Sequence, residues 1–298
     1  MLSTIFSLVF LGQILRIIIL YAFPALGMTF NERGGVTNIG VEGVLIISAF
    51  ATTVGTFYSN DPLFGILCGV IAGILVSLIH GIVTITFKAD QIVSGIAINL
   101  LAVGITKFSC QLIFGSSSNS SRIVGLEQWS AFPGAGMINP FVVATIVLLA
   151  VLHFVMFKTR FGLRLRSVGE NPAAAESLGV RVNAMRYYGL LISGMLAGLG
   201  GSWLALDQHS FTDGMSTGRG YIAIAAMIIG KWNPTGAVVA CLFFGFAESL
   251  TIQLQGGFAS TQFVQMLPYV LTMLVLAGFI GRSTPPAASG IPFERGAK

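Results

Sequence analysis

Long apolar runs, broken only by short polar stretches, dominate this sequence and leave few folds open to it. Leu63 to Phe87 is twenty-five residues without one Asp, Glu, Lys or Arg. Several other runs approach the ~20 residues an α-helix needs to cross a bilayer. A soluble domain is about 25% charged; here 9% of residues are charged, 54% are hydrophobic and the mean hydropathy is +0.86. There is too little charge to coat a water-facing surface. The expected fold is all-α: a polytopic transmembrane helical bundle forming one domain over residues 1–298. Thirty-seven Gly, many inside the apolar runs, suit helices that pack closely in lipid.

The stretch Lys158 to Arg186, KTRFGLRLRSVGENPAAAESLGVRVNAMR, holds six of the sixteen Lys and Arg. It is too polar for lipid, and its basic residues place it on the cytoplasmic side. That fixes the direction of the other segments. Leu2–Met28 runs inward and Asn31–Gly43 lies inside. Val44–Ser59 runs outward to a turn at Asn60–Pro62, and Leu63–Phe87 returns. Ala89–Gly115 leads to an outer loop, Ser116–Asn139, with Trp129 as an interfacial anchor. Pro140–Phe157 comes back in, and Tyr187–Leu206 goes out to the polar loop Asp207–Gly220. Tyr221–Gly230 is short for a span, Ala237–Leu254 is full length, and Gln262–Gly281 is the last. On this layout twelve basic residues lie inside (Arg33, Lys88, the six above, Lys231, Arg282, Arg295, Lys298) and two outside, Arg122 and Arg219. The bias implies about eight crossings, range 8–10, with the N-terminus outside and the C-terminus inside. Residues 282–298 read as a flexible cytoplasmic tail.

Composition also narrows function. The net charge of +5 sits in topology-setting loops, with no basic, aromatic-bearing soluble face for nucleic acid. Cys68, Cys110 and Cys241 fall in apolar runs without CxxC or Cys/His spacing, so they read as small apolar filler with no disulfide or metal role. No Lys or Arg precedes Arg16, so the first run is expected to stay in the mature protein. There is no GxxxxGK[S/T], HExxH or GxSxG run and no nucleophile–base pair. The chain is therefore not expected to be an enzyme, or to hydrolyse ATP itself.

Polar residues inside apolar runs are the candidates for function. NERGGVTNIGVEG, Asn31 to Gly43, is either a plain cytoplasmic turn or a broken, re-entrant piece of backbone lining a cavity. Both readings stay open on composition. Gly218 to Gly230 resembles it in texture, a Gly-rich, Arg-bearing entry followed by small and apolar residues. One segment lies in each half, as an inverted repeat would give. Gly65, Gly69, Gly73, Ser77 and Gly81 form a stripe of small residues, as do Gly189, Ser193, Ala197 and Gly201. His80 reads as a hydrogen-bonded packing residue and Asn99 as an amide facing protein. Arg16 snorkels or faces the interior, or the segment before it lies at the interface, and Lys107 snorkels. In the central loop, Asn171 caps, Pro172 starts and Gly179 stops a helix of about two turns. A helix that short is marginal alone in water, so it packs on its own membrane domain or docks into a partner.

At this point the residues resemble a known family. VGENPAAAESLGV (Val168 to Val180) is similar to the ATPase-coupling loop of bacterial ABC import permeases of the branched-chain amino acid, simple sugar and nucleoside group. ERGGVTNIGVEG (Glu32 to Gly43), KADQIVSGIAINLLAVGIT (Lys88 to Thr106) and GRGYIAIAAMIIGKWNPTGA (Gly218 to Ala237) look most like nucleoside importer permeases. The resemblance implies a permease subunit in the bacterial cell membrane, working by alternating access. Its partners would be ATPase subunits that bind the ATP and Mg, a second and non-identical permease, and an extracytoplasmic binding lipoprotein delivering a nucleoside. No cofactor would bind this chain. Coupling to the ATPase would fall to Glu170, Asn171, Pro172, Ala173, Ala174, Ala175, Glu176, Ser177, Leu178 and Gly179. Glu32, Asn38, Glu42, Gln91 and Asn99 would line or gate the substrate pathway. The alternatives are a simple-sugar permease of the same class and an ion-coupled secondary transporter using Glu42, Glu248 or His80.

Overall fold

The computed structural model describes residues 8–126, 140–254 and 284–294, with Met266 and Val270. Among these residues the chain forms α1 Leu8–Arg33, α2 Val41–Ser59, α3 Pro62–Gly81 with a π-helical extension Ile82–Thr86, and α4 Gln91–Phe114. Then come α5 Pro140–Lys158, α6 Arg160–Glu170, α7 Pro172–Ser177, α8 Val182–Gln208, α9 Arg219–Ile229 and α10 Pro234–Leu254. Seven helices (α1 to α5, α8 and α10) are long and apolar enough to cross a membrane. The eleven residues of α9 rise only about 16 Å, roughly half of a hydrocarbon core of about 30 Å. Trp129 and the span expected over Gln262–Gly281 lie outside the described residues.

Local chemistry sets the helix ends. Asp61 accepts from Leu63 N at 2.9 Å with Pro62 at the first position of α3. Asp90 accepts from Ile92 N and Val93 N at the start of α4. Asn171 accepts from Ala174 N at 3.0 Å, Pro172 opens α7, and Gly179 leaves it at φ +81°, as the sequence predicts. The preceding helix α6 is not foreseen in the sequence reading. Thr159 caps it, and Leu165 and Val168 bury its inner face.

The centre is α8, packed on α1, α2 and α3. Both small-residue stripes lie at these contacts. A Cβ on Gly73 would come 2.5 Å from Gly194 O and 2.9 Å from Gly198 Cα, and one on Gly201 would come 2.5 Å from Leu45 O. These helices touch backbone to backbone, where no side chain fits. Large apolar side chains such as Leu67, Leu75, Leu100, Phe108 and Leu112 point outward, as a lipid-facing surface requires.

Polar contacts gather at the two ends of the bundle. At one end Arg16 pairs with Asp207 at 2.6 Å and Lys107 with Asp213 at 2.9 Å. There, residues 118–123 bond to the backbone of 209–213. At the other end Arg33 reaches Glu170 at 3.5 Å and Lys88 reaches Glu294 at 3.1 Å. This grouping matches the outer and inner ends of the layout. The tail departs from expectation. Residues 284–294 lie across the inner end instead of hanging free. Ala288 N donates to Gly169 O at 2.8 Å, Ser289 Oγ lies 3.1 Å from Thr37 Oγ1, and Pro286 and Ala288 are buried. Its Pro, Ala and Gly content signals irregular backbone, but irregular backbone still docks where partners are offered.

Candidate substrate pathway and coupling loop

After Arg33 the chain turns at Gly34 and Gly35 (φ +85°) and runs as irregular backbone to Gly40 before α2 begins. Side chains take up its polar groups. Gln91 Oε1 accepts from Thr37 N at 2.6 Å, and Asn38 Oδ1 from Gly40 N at 2.9 Å. Asn99 Oδ1 accepts from Gly43 N at 2.7 Å while its Nδ2 donates to Ile39 O at 3.1 Å. His80 Nε2 lies 3.0 Å from Thr37 O, which only accepts, so Nε2 carries hydrogen. His80 Nδ1, 3.0 Å from Ser94 Oγ, is then free to accept, and the ring serves as a packing residue. Gly40 lies so close to α4 that a Cβ on Gly95 would sit 2.8 Å from its nitrogen. This is broken backbone sustained by protein groups, and not a plain solvated turn.

The break delivers Glu42 to the start of α9. Glu42 Oε1 accepts from Ser216 Oγ at 2.5 Å and Gly218 N at 2.8 Å, and Oε2 from Gly220 N at 2.7 Å. The carboxylate thus fills the anion position that a helix N-terminus offers. Beside it Asn99 Nδ2 donates to Tyr221 Oη at 2.9 Å. The two Gly-rich segments that look alike in sequence therefore meet directly. From Gly220 to Ile229 α9 rises about 14 Å; on the expected layout, with Ile229 at the inner boundary, Glu42, Asn99 and Tyr221 fall about midway through a bilayer core.

Next to this cluster Arg219 Nη2 lies 3.3 Å from Glu248 Oε1 and its Nη1 donates to Met215 O at 2.8 Å, while Tyr21 Oη donates to Glu248. At the inner end of α9, Trp232 Nε1 donates to Glu32 Oε2 at 2.5 Å, and Arg33 Nε donates to Trp232 O at 2.9 Å. In the loop region Glu170 ends α6 and α7 follows. Ala175 is buried, whereas Leu178 is 83% exposed. Cavities of about 300 and 460 Å³ flank the turn after α7. Arg164, Leu178 and Tyr188 line the first, and Lys88, Glu176 and Phe293 line the second. Among the described residues no three His, Cys, Asp or Glu converge as a metal set.

A broken half-helix, a polar group at mid-depth and a capped helix at one end of a helical bundle are features of transport proteins. A family profile described as the permease component of a branched-chain amino acid transport system matches residues 10–276. The chain belongs to that permease family. It is 44% identical to the guanosine ABC transporter permease protein NupQ of Bacillus subtilis, over 95% of this chain and 98% of that one. To the nucleoside ABC transporter permease protein NupC of Lactococcus lactis it is 41% identical, over 91% and 92%. A Haloferax volcanii chain described as a glucose ABC transporter permease is 31% identical over 77% of this chain and 73% of that one. A solved ABC transporter described as metal-chelate type, in an inward-facing conformation, shares the fold with a TM-score of 0.52 at 18% identity. It covers 90% of this chain and 85% of that one.

The permease brings Glu42 and Asn99 together at mid-depth, with Asn38 and Gln91 beside them supporting the broken backbone. Glu32 is not in that cluster and faces Trp232 instead. The sequence reading named Glu248 only as a carrier in the ion-coupled alternative, and missed Tyr221, Ser216 and the pairing of Glu248 with Arg219 and Tyr21. It took Arg219 as an outer-loop cation, yet Glu248 within an apolar run was a signal that a partner must come from elsewhere in the chain.

Proposed function

We propose that this permease is the membrane-spanning subunit of an ATP-driven importer whose substrate is a nucleoside. The identity with NupQ and NupC over nearly their whole lengths carries the reading, since the glucose-named relative is both less identical and less fully covered. The mid-depth cluster supports it. The half-exposed Tyr221 offers a neutral hydroxyl beside Asn99, while the Glu42 carboxylate already holds three donors and Glu248 is paired with Arg219. Such a surface suits a neutral polar solute better than an ion.

Partner ATPases bind ATP and Mg, and their closure pushes α7. A second permease completes the path, a binding lipoprotein delivers substrate from outside, and the end bearing α7 and residues 284–294 faces the bacterial cytoplasm. Glu170 to Gly179 make the ATPase contact, while Glu42 and Asn99 border the path. The test is uptake of labelled guanosine into liposomes holding the assembled transporter, with ATP inside and binding protein outside. Uptake of a sugar but no nucleoside moves the substrate to the simple-sugar alternative. Uptake that ignores ATP and collapses with the proton gradient replaces the class with an ion-coupled transporter.

A further inference from the structure

The half-span α9 is held firmly at both ends. At its inner end Lys231 and Trp232 follow one another in the left-handed region, at φ 55° and 53°, where side-chain-bearing residues are uncommon. Their carbonyls converge on Arg33, which donates from Nε to Trp232 O at 2.9 Å and from Nη2 to Lys231 O at 3.4 Å. The indole of Trp232, 5% exposed, donates to the neighbouring Glu32 at 2.5 Å. The third nitrogen of Arg33, Nη1, lies 3.5 Å from Glu170 Oε1, and Glu170 immediately precedes the cap of α7. One guanidinium therefore ties the end of α1, the end of α9 and the base of the coupling loop. At its other end α9 presents Gly218 N and Gly220 N to Glu42 and Tyr221 Oη to Asn99.

Between these fixed ends lies a single helix of eleven residues, about 16 Å long and too short to bend. We propose that Arg33 and Trp232 are positioning residues for transport, which make α9 move with the coupling loop so that a displacement at Glu170 reaches Glu42 and Asn99. Glu42 takes three hydrogen bonds from residues 216–220. A shift of α9 therefore either carries the start of α2 along or releases the carboxylate, and both change the mid-depth polar surface. This inference rests on the reading of α7 as the site where an ATPase pushes. A purely structural role for the same contacts, neutralising the last carbonyls of α9, predicts a different result.

The experiment measures nucleoside uptake and ATP hydrolysis in the same liposomes, holding the complete transporter and its binding protein. The variants are Arg33→Met, Arg33→Lys and Trp232→Phe. Expected is a fall in uptake per ATP of at least about five-fold in Arg33→Met and in Trp232→Phe, the lower end of site-to-site couplings. The substrate KM stays unchanged, and Arg33→Lys recovers part of the loss. Trp232→Phe keeps an aromatic ring but loses the five-membered half of the indole with its N–H, so its melting midpoint is measured beside uptake; it carries the test if Arg33→Met fails to assemble. Uptake and hydrolysis falling in proportion, or neither changing, overturns the proposal. Uptake in wild-type vesicles that needs no ATP overturns the transporter reading itself, and this inference with it.

Discussion

Replacing Asn99 with Leu separates two roles that one side chain combines. Asn99 accepts from Gly43 N at 2.7 Å and donates to Ile39 O at 3.1 Å and Tyr221 Oη at 2.9 Å. Leucine has a similar size and none of these bonds. Gly43 is buried, so its freed N–H has no water to turn to, whereas Ile39 is part-buried and its carbonyl can be solvated. The unsatisfied buried N–H of Gly43 costs about 1–3 kcal/mol. Tyr221 is 47% exposed, and its hydroxyl adds little to the loss. For a chain of this size that cost lowers the melting midpoint by roughly 2–10 °C. Size-exclusion of detergent-solubilised protein after graded heating measures it. A drop under about 2 °C, the shift expected from less than 1 kcal/mol, would refute the claim that Asn99 holds the broken backbone. Because this loss alone depresses uptake, Tyr221→Phe is the cleaner test of the path. It leaves both backbone bonds in place and should change the substrate KM without a comparable loss of stability.

Three further outcomes are expected. Glu176→Lys should leave the permease inserted and cut uptake at least about five-fold relative to ATP hydrolysis; normal uptake in liposomes removes α7 from the coupling role. Glu248→Leu leaves the Arg219 guanidinium without its carboxylate and should destabilise by about 3 kcal/mol. In thermal unfolding the double variant Arg219→Leu/Glu248→Leu should recover much of that, and additive losses would show that the two do not act as a pair. Gly73→Leu drives side-chain atoms into Gly194 O, where even a Cβ would lie 2.5 Å away, and should cost at least about 1–3 kcal/mol by overpacking; an unchanged melting midpoint would mean that α3 and α8 do not touch as described.

What the sequence revealed was what short-range chemistry determines. Asn171-Pro172 and Gly179 mark α7 because capping and left-handed stops act within a turn. The stripe at Gly65, Gly69 and Gly73 is visible because helical periodicity alone puts it on one face. Asn99 and Glu42 stood out as polar groups at a depth where each needs a partner. The partners were not legible. Trp232 lies 200 residues from Glu32, and Arg219 lies 29 from Glu248, and no local rule pairs them. Asn31–Gly43 stayed ambiguous for the same reason. Whether a Gly-rich stretch is a solvated turn or broken backbone within the bundle depends on Gln91, Asn99 and His80, which reach it from other helices. Helix α6 escaped notice because its basic residues dominated the reading of a segment whose other face is buried.

The docked segment 284–294 bears on how the molecule is made. It bonds to Thr37, Lys88, Gly169 and Glu170, all of which leave the ribosome well before it does. The inner face therefore stays open while the helices are inserted, and it closes only after residue 294 has been made. A nascent chain halted after α10 would hold its long helices and yet present Gly169 and Lys88 unmet. Closure of this face therefore waits on the last-made of its parts, residues 284–294.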